Sequence, residues 1–417
     1  MPSVRPTRAG QQATLKRSLS LPLTTFYGLG NILGAGIYVL IGKVALHAGV
    51  YVPLSFVLAA LLAALTALTY AELAARYPVS AGAAAYVEAG TGNRALAGLV
   101  GGLIMVVGVV CSAAILRGFA GYLQVFVNMP ELPTLLICVV VLGGLAAWGI
   151  TESVTAAALV TVVEIAGLLL IVAVAAPTLL DQPGAAFDAA PSLAGSGVWY
   201  GVFLGAFLAF FAFTGFEDMV NVAEEVRQPE KNLPLAILLA LGIATLLYFT
   251  VALVAIGSVP IGELGRSEAP LALIYAHATG REPVVITLIS LFAVINGALI
   301  QIIMLSRLAY GMARRGWLPA AFAYVSPVTR TPLVGTAVAS TLILVMALWL
   351  PTETLARATS FFLLLIFSLV NFSLWRLKRR APQPAGIICV PTWLPAVGCA
   401  ASLLFVVVQA VIELAVD

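Results

Sequence analysis

The sequence predicts an all-α membrane protein with about eleven transmembrane helices. Of its 417 residues, 62% are hydrophobic and only 9% are charged, a composition that soluble globular domains do not have. The apolar residues form successive stretches close to the ~20 residues that one membrane crossing needs. These stretches cover residues 22–45, 52–75, 95–127, 134–151, 155–180, 198–222, 234–258, 283–313, 333–351, 355–376 and 392–415. Two of them, the first and the sixth, are interrupted by glycine.

Residues 1–20 are polar and basic, and we expect them to form a cytoplasmic tail. The first apolar segment has no small-residue cleavage pattern, so it is interpreted as a retained span and not as a signal peptide. Lysine and arginine are enriched in cytoplasmic connections. A cytoplasmic N-terminus places most of these residues on the cytoplasmic side, and an odd number of spans then predicts a periplasmic C-terminus.

The first span contains GLGNILGAGIYVLIG at residues 28–42. Gly34, Ala35 and Gly36 lie at its centre, where glycine disfavours a continuous helix. An unwound segment at this depth would leave backbone N–H and C=O groups without partners, and membranes tolerate such groups only beside a cavity or a ligand. Two interpretations remain open: a broken helix at a binding site, and close helix packing through small residues.

The sixth span has a similar interruption. Residues 207–226 read FLAFFAFTGFEDMVNVAEEV, so Gly215 is followed at once by Glu217 and Asp218. A charge near the bilayer centre costs roughly 3 kcal/mol or more, so these residues are expected to face a cavity or a helix break. Two interrupted spans five apart predict an inverted repeat of five plus five helices. The predicted parts are repeats at 21–181 and 198–376, and a peripheral eleventh helix at 392–417.

Five stretches carry a resemblance to a known family. They are GNILGAGIY, AELAARYPVSAGAAAYV at 71–87, AFTGFEDMVNVAEEVRQPEKNLPLAI at 212–237, SRLAYGMARRGWLP at 306–319, and Arg117 within ILRGFAGYL. Together they resemble the amino acid–polyamine–organocation (APC) transporter superfamily, and within it the bacterial amino acid permeases. The usual twelve spans of that family exceed the number predicted here.

The resemblance implies a LeuT-like fold of two inverted five-helix repeats, with helices 1 and 6 broken. It also implies a secondary active transporter that carries an amino acid across a bacterial inner membrane by alternating access, as a proton-coupled carrier or an exchanger. A polyamine or other organic amine is the alternative substrate. A channel would need a continuous polar stripe, and an intramembrane enzyme would need a catalytic set that the sequence does not supply.

The same resemblance implies that the substrate lies between the two broken spans. The N-terminus of a half-helix suits a carboxylate, and carbonyl groups near the breaks suit an ammonium group. Phe211 is placed as an aromatic gate, with ordinary packing as its alternative. Gln301 matches a pocket position of a relative, or else forms an interhelical hydrogen bond. The predicted substrate-binding residues are Ile32, Gly34, Ala35, Gly36, Ile37, Phe211, Phe213, Thr214, Gly215 and Gln301.

Glu164 and Glu217 are the predicted coupling residues. Glu164 lies in mid-span, where some proton-coupled relatives have a lysine; three roles remain open, namely proton carrier, ligand of a monovalent cation, and ion-pair partner of Arg117. Glu217 either senses protons at the break or caps the helix that follows, and Asp218 is interpreted as structural. No cofactor or metal is expected beyond a coupling proton or monovalent cation, and the expected partners are a small amino acid or amine and the lipid bilayer, not nucleic acid.

Overall fold

The computed structural model describes residues 19–34, 36–79, 82–148, 154–181, 192, 195–314, 316–326, 329, 331–380 and 386–416. Within these ranges the chain is helical, apart from connections and an isolated β-bridge between Leu19 and Val226. The α-helices are α1 (Leu21–Leu33), α2 (Gly36–Ala48), α3 (Val52–Arg76), α4 (Gly82–Thr91), α5 (Arg94–Leu123), α6 (Glu131–Trp148), α7 (Val154–Asp181), α8 (Ser196–Ala209), α9 (Pro229–Ser258), α10 (Ile261–Arg266), α11 (Pro270–Thr279), α12 (Val284–Arg314), α13 (Leu333–Trp349), α14 (Thr352–Arg380) and α15 (Trp393–Val416).

By length and composition, eight helical stretches of the described residues can span a membrane. One of them, Leu21–Arg76, has 56 residues and includes α1, α2 and α3, so it is long enough for more than one crossing. Two shorter apolar helices, Glu131–Ala147 and Leu333–Trp349, coincide with the predicted fourth and ninth spans. The predicted all-α membrane fold is therefore confirmed, while the number of eleven spans and the division into repeats stay predictions.

The first predicted span is broken at its glycines. Helix α1 ends at Leu33 and α2 begins at Gly36. Between them Gly34 has φ −22° and ψ −111°, outside the helical region, although its N–H still donates to the carbonyl of Gly30 at 3.2 Å. Ala35, which the sequence analysis placed at the centre of this break, lies outside the described residues.

The sixth predicted span is broken at Gly215. Helix α8 ends at Ala209, a 3₁₀ helix continues over Phe210–Phe213, and a second 3₁₀ helix covers Phe216–Glu225. Gly215, between the two 3₁₀ helices, has φ +116°, a left-handed conformation that residues with a side chain rarely adopt. Glycine is therefore required here by the backbone conformation itself.

The two breaks approach each other closely because the residues at the contacts are glycines. A Cβ atom added to Gly215 would come within 2.7 Å of the carbonyl oxygen of Asn31 in α1. A Cβ atom added to Gly36, the first residue of α2, would overlap the backbone of Ala212. Each broken span therefore packs with its backbone against the other at the level of the break.

A buried ionic cluster connects α3 to α14 and to the segment before α15. The Glu72 side chain is fully buried and accepts hydrogen bonds from Arg76 Nη2 at 2.6 Å and from Lys378 Nζ at 2.8 Å. Its carboxylate also accepts the backbone N–H of Val390 at 2.7 Å. Every charge in this cluster has an opposite charge as partner, which is the condition under which buried charges are tolerated.

We expect Glu72→Gln to lower the apparent Tm of the detergent-purified protein clearly. The substitution leaves Arg76 and Lys378 without a carboxylate, and breaking a buried ion pair in this way costs about 3–5 kcal/mol. Thermal denaturation followed by intrinsic fluorescence measures the change. Glu282→Gln, at an exposed position, is the control and should leave Tm unchanged; an equal Tm for both variants would contradict the stabilising role of the cluster.

Candidate functional site

A cavity of about 640 Å³ lies where the two breaks meet. It is lined by residues of α1, α3, α4, α5, α12 and α14, and by the backbone of the second break. This volume is within the range of small-molecule sites, about 300–1,000 Å³. The polar residues that line it include Asn31, Tyr70, Thr214, Glu217, Asp218, Gln301 and Arg307.

The cavity extends from the breaks to one end of the molecule. Asn221 and Arg307 line it and are exposed to solvent. Trp317, in the connection after α12, also lines it. The cavity is therefore accessible from the end at which α3 and α12 finish and α5 begins.

At the opposite end, polar contacts join the helices across the bundle. Lys43 in α2 pairs with Glu268 at 3.0 Å and donates to the carbonyl of Gly265 at 3.2 Å, which connects α2 to the region of α10 and α11. Arg117 in α5 donates to the carbonyl of Ala347 in α13 at 2.7 Å. These contacts hold together the end of the molecule that lies away from the open cavity.

Four of the predicted site residues line the cavity: Thr214, Gly215, Glu217 and Gln301. The Thr214 hydroxyl donates to the carbonyl of Phe211 at 2.8 Å, within the break. The Gly215 N–H donates to Glu217 Oε2 at 2.9 Å, so the Glu217 side chain satisfies a backbone donor at the break. Glu217 thus holds the break and faces the cavity at the same time.

Of the other predicted residues of the two breaks, those that the structure describes are packed beside the cavity and are not among its lining residues. The Phe213 ring contacts Tyr248, with ring centroids 5.1 Å apart, and Phe56, at 6.4 Å. Phe211 is 3% exposed, and in this structure it is buried in the core. The remaining described residues of the first break are also buried within the bundle: Ile32, Gly34, Gly36 and Ile37.

Tyr248 in α9 connects the two breaks. Its hydroxyl lies 2.7 Å from the carbonyl oxygen of Ile32 and 2.9 Å from that of Ala212, and donates to both by sharing one proton. Carbonyl groups near the breaks were predicted to bind the ammonium group of a substrate. In this structure the Tyr248 hydroxyl binds two carbonyls of that region, and the sequence around Tyr248 contains no signal that points to this role.

Glu164 in α7 is 1% exposed, and neither of its carboxylate oxygens has a hydrogen-bond partner in the part of the chain that the structure describes. Its backbone carbonyl accepts the hydroxyl of Tyr38 at 2.8 Å. Arg117, one of the partners considered for Glu164, instead pairs with Glu131 at 2.9 Å. The predicted ion pair between Glu164 and Arg117 is therefore not formed in this structure, and the roles of proton carrier and of ligand of a monovalent cation stay predictions.

Several polar residues of the cavity are not predicted as binding residues from the sequence. Asp218, interpreted from the sequence as structural, lines the cavity. Its Oδ2 atom accepts a long hydrogen bond from Gln301 Nε2 at 3.4 Å. Asn31 could have been recognised because it lies between the glycines of the first break. Tyr70 and Arg307 lie in ordinary apolar or amphipathic helix sequence, so only the packing of α3 and α12 reveals them.

A family model described as amino acid permease matches residues 19–416. The chain belongs to the amino acid permease family. The resemblance to the APC superfamily seen in the motifs is thereby confirmed, and the interrupted first and sixth spans fit the LeuT-like fold of that superfamily. Members of the family are multi-pass membrane transporters and not enzymes.

The relatives of this chain differ in the substrates that their names give. The chain is 30% identical over 397 residues to the branched-chain amino acid permease BcaP of Bacillus subtilis. This alignment covers 89% of the chain and 83% of BcaP. It is 29% identical over 402 residues to the methylthioribose transporter of Bacillus subtilis, with 91% and 85% covered. It is 29% identical over 390 residues to the mitochondrial cationic amino acid transporter 3 of Arabidopsis thaliana, with 88% covered and only 63% of that longer relative.

We expect Gly36→Ala to lower the apparent Tm and to reduce substrate transport, because its methyl group must displace the backbone of Ala212. Gly102→Ala in α5 is the matched control, since a Cβ at Gly102 meets no atom within 4 Å. There, alanine favours the helix by about 1 kcal/mol relative to glycine. Thermal denaturation of both variants tests the expectation; equal stability would show that the close approach of the breaks is not required.

Proposed function

We propose that this protein is a secondary active transporter that carries an amino acid across a bacterial inner membrane by alternating access. The observation that carries the proposal is the meeting of two broken helices at a cavity of about 640 Å³. Interrupted helices place backbone dipoles and unpaired polar groups beside a substrate at mid-membrane, which is the usual construction of a transporter site.

The shape of the cavity supports an alternating-access mechanism. It is accessible at one end of the molecule, and polar contacts such as Lys43–Glu268 join the helices at the other. The accessible end carries Arg76, Arg94 and Lys378 at helix termini. Basic residues favour the cytoplasmic side, so we assign this structure to an inward-open state with a cytoplasmic N-terminus.

The names of the relatives support amino acids as substrates, since a branched-chain amino acid permease and a cationic amino acid transporter are both about 30% identical to the chain. A polyamine or another organic amine is the second candidate. It is favoured by the two carboxylates, of Glu217 and Asp218, that line the cavity.

Glu164 is proposed as the proton-coupling residue. Its carboxylate is buried in a membrane-spanning helix and has no hydrogen-bond partner among the described residues. An unpaired carboxylate is strongly disfavoured in such surroundings, and binding of a proton removes the charge. A bound monovalent cation would also compensate the negative charge of Glu164. Transport measurements therefore have to distinguish coupling to protons from coupling to a monovalent cation.

Uptake of radiolabelled amino acids into proteoliposomes tests the proposed function. We expect saturable uptake that an inward proton gradient increases in the absence of sodium and potassium gradients. Ion conductance at channel rates, or no uptake of any amino acid or amine, would exclude the proposed function.

We expect Glu164→Gln to abolish the increase of uptake with a proton gradient while counterflow exchange of substrate is retained. Glutamine keeps the shape of the side chain but does not titrate. The uptake rate is measured against external pH for the wild type, for Glu164→Gln and for the exposed control Glu282→Gln. A Glu164→Gln profile that follows the wild type would assign a structural role to this residue.

A further inference from the structure

We propose that the end of α14 binds the headgroup of an anionic phospholipid. The site is a stripe of four residues on one face of the helix, Phe372, Trp375, Arg376 and Arg379, which we call the α14 stripe. This inference goes beyond the proposed function, because it concerns the outer surface of the protein and not the transport pathway. Three observations carry it: the depth of the helix end, the pairing of its charges, and the geometry of the stripe.

The length of α14 brings its end to the level of the lipid headgroups. The helix is a candidate membrane span of 29 residues, which at 1.5 Å per residue gives about 43 Å. The hydrocarbon core of a bilayer is only about 30 Å thick, so the last turns of such a helix extend into the headgroup region. Trp393, at the start of α15, is 61% exposed and lies at the same end of the molecule, since the nearby N–H of Val390 donates to Glu72. Exposed tryptophan is typical of the membrane interface.

The basic residues at this helix end divide into a paired and an unpaired group. Lys378 is fully buried and binds Glu72 at 2.8 Å. In contrast, none of the ion pairs in the described part of the chain includes Arg376, Arg379 or Arg380. Arg379 and Arg380 are exposed. The inner face of the helix end therefore has its charge compensated, while the outer face has an excess of positive charge, which attracts anionic lipids.

The geometry of the α14 stripe combines apolar and cationic groups. Its members are separated by three, four and seven residues, so they lie on one face of the helix. The Phe372 side chain is 38% exposed, and its ring centroid lies 5.8 Å from that of Trp375. The guanidinium carbon of Arg379 lies 4.9 Å from the centroid of the Trp375 ring, a cation–π contact.

This cation–π contact gives Arg379 a defined position. Side chains of a helix point back towards its N-terminus, and here that direction leads from the end of α14 towards the bilayer. The guanidinium group thus lies beside Trp375 at the membrane surface, and the N–H groups in its plane suit the oxygens of a phosphate. Arg376, one turn earlier on the same face, supplies a second guanidinium group.

An anionic phospholipid matches both halves of the α14 stripe. Its phosphate pairs with the guanidinium groups, and its acyl chains lie against Phe372 and Trp375. A zwitterionic phospholipid has the same phosphate, but its ammonium group would face two arginines and no carboxylate of the stripe. A soluble phosphate ester would leave the aromatic half of the stripe without a partner.

Native mass spectrometry of the purified full-length protein tests the site with phosphatidylglycerol, phosphatidylcholine and soluble glycerol phosphate as probes. We expect the wild type to retain phosphatidylglycerol in preference to phosphatidylcholine. In the double variant Arg376→Gln/Arg379→Gln the affinity for phosphatidylglycerol should fall at least about tenfold, because each arginine near a headgroup contributes about fivefold. The preference over phosphatidylcholine should then approach one.

Arg227→Gln/Lys231→Gln is the matched control. It also removes two exposed positive charges, which lie around the start of α9 and outside the α14 stripe. We expect this variant to bind phosphatidylglycerol within about twofold of the wild type. A second measurement is the apparent Tm: without lipid it should be equal for the three proteins, and phosphatidylglycerol should raise it for the wild type and the control but not for Arg376→Gln/Arg379→Gln.

Three results would each overturn the site. Equal retention of phosphatidylglycerol and phosphatidylcholine by the wild type would remove the selectivity for an anionic headgroup. An equal loss of phosphatidylglycerol in the control variant would spread the binding over the whole basic surface. Displacement of phosphatidylglycerol by an equal concentration of glycerol phosphate would assign the arginines to a soluble phosphate ester and not to a lipid.

Discussion

Backbone polar groups at two helix breaks impose the constraint on which this structure depends. A helix that ends inside a membrane leaves carbonyl and N–H groups that lipid cannot satisfy. Here the Tyr248 hydroxyl donates to the carbonyls of Ile32 and Ala212, one from each break. The Glu217 side chain accepts the N–H of Gly215. Both breaks are thus stabilised by the same small region, which keeps them adjacent.

This adjacency determines where a cavity can form. Glycine at positions 36 and 215 allows backbone to pack on backbone, so the unwound segments meet with no side chain between them. Bulkier residues of α3, α5 and α12 surround the junction, and the space that remains is the cavity. Part of its polar character comes from Glu217 and Asp218, which follow directly after the turn at Gly215.

The buried charges fall into two groups that differ in their pairing. Glu72 has Arg76 and Lys378 as partners and stabilises the contact between α3 and α14. The carboxylate of Glu164 has no partner in the described structure. The carboxylate of Asp218 is only partly buried, at the cavity, and has a long contact with the Gln301 amide. A buried charge without compensation costs free energy, so it persists where a proton, an ion or a substrate supplies the missing partner. Carboxylates with a partner of opposite charge therefore have a structural role here, and the carboxylate without such a partner is the one proposed to act in transport.

The sequence alone determined the all-α membrane class and the position of both breaks, because span length, glycine at Gly34–Gly36 and Gly215, and family motifs are local signals. It also identified Thr214, Gly215, Glu217 and Gln301, which line the cavity, since polar residues beside a break stand out in apolar sequence. Only the tertiary structure decided that Phe213 packs in the core, that Tyr248 bridges the breaks and that Asp218 faces the cavity. Those outcomes depend on which helix faces lie against each other across distant parts of the chain, and a nearly uniform apolar sequence contains little information about helix rotation.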